Sequence, residues 1–304
     1  MNWKLKAFVQ SSISAMPRGT QMNYLLQRYV SRTLPPSTAT MSHTLQTTLN
    51  DFRFLEKHMS IPLDSAKFYE FGAGVTLIGP LTFYCMGVEK QTLVDLHWLL
   101  RRELVNHAIR FLRNADNAPF RRKPVPLPDR LTSGELTEYL KSTYGIDYNA
   151  PCDARNTHYD SGSFDVVTSK AVFEHVPGID IPAILAECHR LLAAKGLAAF
   201  RTDYQDHYSY CDSRVSIYNF LRYSDAQWRR YSPALNYTNR LRHREYLSLF
   251  RAAGFEIVAD NTYDIRDEDR VSLRMIPLSA RFAGYSEDEL ALRGAHTVLR
   301  NAAR

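Results

Sequence analysis

Short runs of apolar residues alternate along this chain with longer segments in which apolar side chains recur every three or four positions. The short runs are typical of buried β-strands, and the longer spacing is typical of amphipathic α-helices. The predicted strands cover residues 66–71, 91–94, 164–168, 196–202 and 255–258. The predicted helices that accompany them cover residues 44–58, 77–86, 99–114, 133–144, 181–192 and 241–253. This alternation predicts an α/β fold with a parallel sheet and right-handed crossovers.

The first 35 residues have a different pattern. Two short amphipathic helices are predicted there, separated at residues 16–19 and ended by Pro35 and Pro36, because proline has no N–H for a continuing helix. No acidic residue precedes Asp51. A basic amphipathic segment suits either an arm packed on the main domain or a contact with an anionic membrane surface. A cleaved targeting peptide is a third interpretation.

Composition limits the class of protein. The chain has 304 residues, of which 45% are apolar and 23% charged, as in ordinary globular proteins, and no apolar stretch is long enough for a transmembrane helix. We expect a helical N-terminal arm over residues 1–60 and one domain over residues 61–304, with a lid insertion at about residues 204–243. The net charge of +6 is compatible with nucleic acid or anionic lipid as a partner, and it does not distinguish between them.

The cysteines and histidines carry no metal-binding signature. Four scattered cysteines without a CxxC pair predict neither disulfides nor a zinc site. No spacing of histidine, cysteine or carboxylate residues predicts another metal centre, so none is expected. We therefore expect a cytoplasmic protein, with the inner face of the membrane as an alternative location if the N-terminal segment binds lipid.

A glycine turn after the first predicted strand is the first chemical signal. Glu70 and Phe71 end that strand, and Gly72-Ala73-Gly74 follows, where a side chain would hold a ligand away from the backbone. Asp95 stands 21 residues after Gly74, at the end of the next predicted strand. A carboxylate in that position can accept hydrogen bonds from both hydroxyls of a ribose. The pattern predicts a nucleoside-binding site.

Two phosphate-binding motifs are absent around this turn, and their absence limits the kind of nucleoside that is expected. A dinucleotide site would have a third glycine after Gly74, and the sequence there is Val75-Thr76-Leu77. The chain also has no Gly-Lys-Ser/Thr for a phosphate-binding loop. We therefore expect a nucleoside without a diphosphate.

In this combination of motifs the chain resembles the class I S-adenosylmethionine-dependent methyltransferases. The resemblance rests on residues 70–74, Asp95, and residues 152–155, 163–176, 187–196 and 249–255. It implies a Rossmann-like, doubly wound and mostly parallel seven-stranded sheet, with S-adenosyl-L-methionine as cofactor. Residues 203–208 and 239–243 also resemble bacterial members assigned to surface-glycan pathways.

The resemblance assigns roles to residues of this chain. Gly72, Ala73 and Gly74 would approach the methionine part of the cofactor, with Glu70 in a supporting hydrogen-bond shell. Asp95 would hold the ribose.

Three further cofactor contacts are implied in the same way. Asp153 would accept from the adenine amino group, Ala154 would offer its backbone amide, and Ser169 would meet the methionine end. The 58 residues between Asp95 and Asp153 exceed the usual family spacing, and the proline-rich residues 119–128 are the predicted insertion.

Methylation of a hydroxyl also needs a group that removes its proton. His207 follows the fifth predicted strand and is the predicted general base, with Asp206 or Asp203 orienting its imidazole. A loop-capping role for Asp206 and His207 is the alternative. His175 is the competing base, although Glu-His also occurs as scaffold at this position in many relatives.

The acceptor pocket is expected in residues 204–243, which are rich in tyrosine and contain Arg240 and Arg242. Aromatic faces with hydroxyl rims suit a sugar or a planar ring, and the arginines suit a phosphate or carboxylate. A tyrosine-rich segment packed on its own core and two solvated arginines are the structural alternatives.

The predicted activity is O-methylation of a saccharide or glycolipid intermediate. A small aromatic metabolite is the alternative acceptor, and a non-catalytic cofactor-binding partner is the alternative from another class. Nucleic acid is not expected as a partner, because no signature for base methylation and no separate RNA-binding module occurs. The sequence sets no oligomeric state.

Overall fold

Seven strands form the central sheet of the protein, for which the computed structural model describes residues 2–17 and 19–302. Arg18, in the predicted break between the first two helices, lies outside the described residues. The strands are β1 (Lys67–Phe71), β2 (Lys90–Val94), β3 (Ile146–Asn149), β4 (Phe164–Lys170), β5 (Leu192–Asp203), β6 (Phe255–Thr262) and β7 (Gly294–Asn301).

The strand order is β3-β2-β1-β4-β5-β7-β6. The first five strands of this order pair in parallel, and β7 runs antiparallel to both of its neighbours. The predicted Rossmann-like, seven-stranded α/β fold is therefore confirmed. The direction of winding reverses between β1 and β4, and such a reversal opens a crevice at the carboxyl ends of the strands.

The helices are bounded by local signals that the sequence contains. They are α1 (Trp3–Ser14), α2 (Gly19–Leu25), α3 (Thr38–His58), α4 (Ile78–Met86), α5 (Arg102–Arg113), α6 (Ser133–Tyr144), α7 (Ile181–Leu191), α8 (Asp225–Trp228), α9 (His243–Ala252), α10 (Asp267–Arg274) and α11 (Glu287–Ala291). The Thr132 hydroxyl and the Glu135 carboxylate form a capping box at the start of α6, and Gly145 ends that helix in the left-handed region. A single turn of π-helix, Leu26–Val30, follows α2.

Apolar side chains from the two faces of the sheet belong to separate cores. On one face, Phe68, Val166 and Ala199 pack in a core that also contains buried side chains of α3 to α6. On the other, residues such as Tyr69 and Phe200 pack with buried side chains of α7 and α9. Both faces are thus covered, as expected for strands that are apolar on both sides.

A third core lies beneath the lid segment. Trp3 of α1 packs with Tyr208, Tyr218 and Trp228 of residues 204–243, together with buried side chains of α10 and α11. The two ends of the predicted N-terminal arm therefore have different partners. The helix α1 packs on the lid segment, while α3 packs on the sheet.

Polar side chains occupy the carboxyl end of the face covered by α3. Asp51 of α3 pairs with Arg201 of β5, lies 3.3 Å from Nδ1 of His296 on β7, and lies 4.0 Å from Nζ of Lys170 on β4. Asp51 is 3% exposed, so this ion network joins α3 to three strands inside the protein. Across residues 2–17 and 19–302, no helix is both long and apolar enough to cross a membrane.

Candidate active site

A cleft of about 400 Å³ opens at the carboxyl ends of β1 and β2, at the reversal of the sheet. The residues that line it are Phe71, Gly72, Val94, Asp95, Leu96, His97, Leu99, Cys152, Asp153, Ala154, Arg155, Val172, His175, Val176, Pro177, Asp180 and Ile184. Predicted site residues among them are Gly72, Asp95, Asp153, Ala154 and His175. The structure therefore brings together residues from four separate segments of the sequence.

The glycine turn lies at the base of this cleft, and its backbone has a conformation that favours glycine. Gly72 and Gly74 have φ values of +75° and +74°. A Cβ on Gly72 would lie 2.4 Å from Cγ2 of Val172, whereas a Cβ on Gly74 would meet no described atom within 4 Å. Gly72 is therefore required by packing and by φ, while Gly74 leaves open space beside the turn.

Asp95 offers an unsatisfied acceptor to the cleft. The residue is 5% exposed, and its Oδ2 has no hydrogen-bond partner among the described residues. Burial raises the pKa of Asp95 to about 7, and a hydrogen bond with Tyr148 acts in the opposite direction. A buried acceptor without a partner is costly. Vicinal hydroxyls would supply the missing donors, so this residue fits the ribose of the cofactor.

Glu70 and Ser169 lie beneath the cleft rather than on its wall. Glu70 is buried, its Oε2 lies 3.4 Å from the Thr168 hydroxyl, and burial raises its pKa. The Ser169 hydroxyl donates to the carbonyl of Phe71 at 3.2 Å. Both side chains hold β4 against the end of β1.

The adenine-side prediction involves a carboxylate that already has partners. Arg155 donates to both oxygens of Asp153, and these hydrogen bonds lower the pKa of Asp153. Another nitrogen of Arg155 donates to Asp180 at 2.8 Å, and both Arg155 and Asp180 line the cleft. Ala154 lies between these side chains in sequence and also lines the cleft.

Two histidines and two carboxylates meet beside the cleft. We call Glu174, His175, Asp203 and His207 the histidine–carboxylate cluster. The imidazole centroids are 4.8 Å apart, and Nε2 of His207 lies 3.3 Å from Oδ2 of Asp203. The backbone N–H of Asp203 donates to Oε1 of Glu174 at 3.3 Å. Tyr210 stacks on His207 and donates from its hydroxyl to Asp203.

The electrostatics of the cluster follow from burial and from these contacts. Burial raises the pKa of Glu174 well above its usual value, and the Asp203 charge adds to this effect. Burial alone would raise the pKa of Asp203, but hydrogen bonds from His207 and Tyr210 outweigh it and lower that pKa. Burial, and next the charge of His207, lower the pKa of His175. The cluster therefore combines a neutral imidazole with two carboxyl groups of different acidity.

The predicted catalytic residues differ in their position relative to the cleft. His175 lines the cleft, whereas His207 lies next to it with 13% of its side chain exposed. The Asp206 carboxylate accepts instead from the N–H of Tyr208 and from the side-chain amide of Asn219. Asp203, rather than Asp206, is therefore the carboxylate beside the His207 imidazole. Asp206 stabilises the following loop instead.

The predicted acceptor residues of the lid point mostly inward. Arg242 is fully buried and donates to the carbonyls of Tyr204, Leu290 and Leu292. Arg240 is also buried and donates to two carbonyls and to Asp225. The prediction that these arginines bind an anionic substrate group is wrong, because both side chains are buried and their terminal nitrogens donate to internal acceptors.

Glu174 is the functional candidate that sequence reasoning missed. It was part of the Phe-Glu-His-Val segment, but spacing alone gave no reason to expect its carboxylate beside Asp203 and His207. The contact arises because β4 and β5 are neighbours and their carboxyl ends lead into the same space.

Residues 132–200 match the family model described as a methyltransferase domain. The matched region runs from the N-cap of α6 through most of β5 and includes one wall of the cleft. The match shows a methyltransferase domain in this region, and the strand order and the nucleoside-type cleft agree with a class I S-adenosylmethionine-dependent methyltransferase, for which S-adenosylmethionine is the cofactor. No curated protein sequence matches the chain.

Several solved structures are similar in outline. The 1,6-didemethyltoxoflavin N1-methyltransferase of Burkholderia thailandensis is 14% identical, with 93% of this chain and 88% of that chain covered and a TM-score of 0.47. The geranyl diphosphate C-methyltransferase of Streptomyces coelicolor is 12% identical, with 84% and 78% covered and a TM-score of 0.46. The [4+2]-cyclase SpnF is 10% identical, with 84% and 82% covered and a TM-score of 0.46.

Proposed function

We propose that this methyltransferase acts on a hydroxyl oxygen of a small-molecule acceptor, a saccharide or glycolipid intermediate being the class that the sequence favours. The histidine–carboxylate cluster carries the proposal. A hydroxyl must lose its proton during methylation, and groups positioned to assist that loss contribute ~10²–10⁴-fold to the rate. His175 lines the cofactor cleft, and the rest of the cluster adjoins it.

The cofactor would be held by residues of the cleft. Asp95 would accept from the ribose hydroxyls, the turn at Gly72 would allow close approach of the backbone, and Ala154 would offer its amide to the adenine. The chemistry that S-adenosylmethionine supplies when bound is a methyl group on a positively charged sulfur, which becomes a neutral thioether as the new O–C bond forms. Alignment of the acceptor is the main task of the protein and contributes ~7–11 kcal/mol in well-oriented systems.

Tyr210 supports the saccharide class more directly than the other lid tyrosines do. Tyr204, Tyr208 and Tyr218 are buried, so their rings are unavailable to a substrate. Tyr210 is 62% exposed and stacks on His207 at a centroid distance of 5.2 Å. An exposed aromatic face with a polar edge packs well against a sugar ring.

The test is a methyl-transfer assay with acceptors of several classes. The probes are free saccharides, polyprenyl-phosphate-linked saccharides, phenols and primary amines, each incubated with S-adenosylmethionine. We expect a hydroxyl-bearing saccharide to gain the mass of one methylene group, with an O-methyl signal in its NMR spectrum. His207→Ala should lower turnover ~10²–10⁴-fold, whereas His158→Ala, at an exposed position, should not. Methylation confined to amines would overturn the proposal.

The N-terminal surface supports a lipid-linked acceptor. Phe8, Tyr29 and Val30 are 70%, 69% and 73% exposed, and the last two line an apolar groove of about 470 Å³ formed by α1, α2 and the π-helical turn. Lys4 and Lys6 belong to the same acid-free segment. Exposed apolar side chains beside basic ones suit an anionic membrane surface.

Vesicle flotation tests this membrane contact. Full-length protein should float with phosphatidylglycerol vesicles and not with phosphatidylcholine vesicles, and Phe8→Ser with Val30→Ser should reduce flotation. Equal flotation of the variant, or no flotation of the original chain, would exclude the membrane contact without affecting the proposed methylation of a hydroxyl.

A further inference from the structure

Three side chains of the histidine–carboxylate cluster bring potential metal ligands close together. A carboxylate oxygen of Glu174 and one ring nitrogen each of His175 and His207 all lie within 4.8 Å of one another. A Zn²⁺ ion with bonds of about 2.1 Å needs ligand atoms about 3.4 Å apart, so modest side-chain rotation would complete the site.

Glu174 gives an independent sign that a cation belongs here. The residue is 2% exposed, and its Oε2 has no hydrogen-bond partner among the described residues. Nε2 of His207 is also buried and lies 3.3 Å from Oδ2 of Asp203. Buried polar groups are normally paired or bound to metal. A buried carboxylate oxygen without a donor, beside two imidazoles, is an arrangement that a cation would resolve.

The environment of His175 prepares it as a ligand. Its Nδ1 lies 2.7 Å from the carbonyl oxygen of Tyr237, which can only accept. Nδ1 therefore carries the proton, and the lone pair is on Nε2. Metal-binding histidines commonly donate their second N–H to a carbonyl or carboxylate in this way, which fixes both the tautomer and the ring orientation.

We propose that Glu174, His175 and His207 bind one divalent metal ion, Zn²⁺ by preference, at the edge of the cofactor cleft. Two imidazoles and one carboxylate form a ligand set of catalytic zinc sites, which keep a further position open for water or substrate. Imidazole ligands favour Zn²⁺ over Mg²⁺ and Ca²⁺, which prefer oxygen. Asp203 adds a second carboxylate 3.3 Å from Nε2 of His207 and increases the negative potential at the site.

The catalytic use of this ion rests on the proposed function, whereas its binding does not. A metal ion that contacts an acceptor hydroxyl lowers the pKa of that hydroxyl. The O–H bond then breaks with loss of the proton to water, and the oxygen forms its bond to the methyl carbon while the C–S electron pair remains on sulfur. In this account His207 is a metal ligand rather than the general base.

Calorimetric titration of chelator-treated, tag-free protein with ZnCl₂ tests the site without any acceptor. We expect one Zn²⁺ per chain and much weaker binding of Mg²⁺. Glu174→Gln and His175→Gln should each weaken Zn²⁺ binding by more than the ~10–100-fold that outer-shell changes cost. His158→Gln is the matched surface control and should leave binding unchanged. Because His175 lies on the lining of the cleft rather than in a core, its variant keeps the test valid if Glu174→Gln does not fold.

The outcomes separate the two proposals. Absence of Zn²⁺ binding, or binding that both Glu174→Gln and His175→Gln retain, would overturn the metal site. If hydroxyl methylation still depended on His207, the proposed function would stand with the histidines as proton acceptors. Stoichiometric Zn²⁺ binding that is lost in Glu174→Gln and His175→Gln but kept in His158→Gln would support the site even if every hydroxyl acceptor failed.

Discussion

Asp95 is a residue whose burial serves binding at the expense of stability. Its carboxylate lies in the protein interior without a full set of donors, and burial raises its pKa to about 7. Residues that prepare a ligand site often carry such a cost in stability. The sequence predicted Asp95 from its distance to the glycine turn, but its unsatisfied oxygen depends on packing that spacing does not reveal.

The stability of Asp95→Asn should exceed that of the original chain at pH 8 by about 1–3 kcal/mol, the cost of an unsatisfied buried group. A raised folded-state pKa means that Asp95 favours folding below its unfolded value of about 3.8, and that this contribution is lost as the pH rises toward 7. The difference between the two proteins should therefore shrink between pH 8 and pH 4.5. Urea unfolding at both pH values measures it, and a pH-independent difference would contradict this assignment.

The two turn glycines should respond differently to alanine. Both substitutions place a side chain at positive φ, which costs about 1–2 kcal/mol. Gly72→Ala should cost more than Gly74→Ala, because its Cβ also overlaps Val172. Adding Val172→Ala should recover part of the loss at Gly72 and none at Gly74. Equal destabilisation of the two single variants in urea would show that the overlap is relieved at no cost.

At the scale of elements, α1 has two faces with different partners. Trp3 packs between Tyr208 and Tyr231 of the lid segment, and its backbone N–H donates to Asp212. Phe8 on the same helix is 70% exposed. The amphipathic pattern predicted the helix but left open what its apolar side would contact. The structure shows that Trp3 contacts the lid segment and leaves Phe8 outside.

Trp3→Ala should loosen the lid segment, since removal of a buried tryptophan costs about 3–5 kcal/mol. Hydrogen exchange across residues 204–243 should become faster. Affinity for S-adenosylmethionine should not change, because Trp3 does not line the cleft. Phe8→Ala is the matched control and should leave exchange unchanged. Unaltered exchange in Trp3→Ala would mean that the lid is stable without α1.

Local sequence patterns predicted five of the seven strands and missed β3 and β7. Each of the five predicted strands lies within or overlaps an observed one, because its apolar run is buried between two layers of helices. β3 has four residues, and β7 begins Gly-Ala-His-Thr, which local propensity does not mark as a strand. β7 pairs with both β5 and β6. Its structure therefore depends on long-range pairing that the sequence pattern does not show.

At the scale of the whole molecule, a buried ion network couples α3 to the sheet. Asp51 is the shared carboxylate for Arg201, Lys170 and His296, and burial lowers the pKa of His296 to about 4. The sequence predicted both α3 and the strands, but the pairing of a carboxylate with groups on three strands appears only when the chain is folded. The same holds for Glu174 and His207, which adjacent strands bring together.

Asp51→Ala should destabilise the protein by about 3–5 kcal/mol, because it leaves buried cations without a counter-charge. Asp64→Ala removes an ion pair with Arg121 that is partly exposed on both sides, so the expected loss is at most about 1 kcal/mol. Urea unfolding of both variants provides the comparison. Similar losses would show that the network around Asp51 contributes no more than a surface pair.

The most direct test of the central claim is calorimetric titration of the protein with S-adenosylmethionine at pH 8. We expect one cofactor per chain for the original protein. Asp95→Asn should weaken binding by about 1.5–3 kcal/mol, the value of a hydrogen bond to a charged group, while Asp64→Asn should have no effect. Undiminished affinity in Asp95→Asn, or no binding by the original chain, would contradict the assignment of this cleft as the cofactor site.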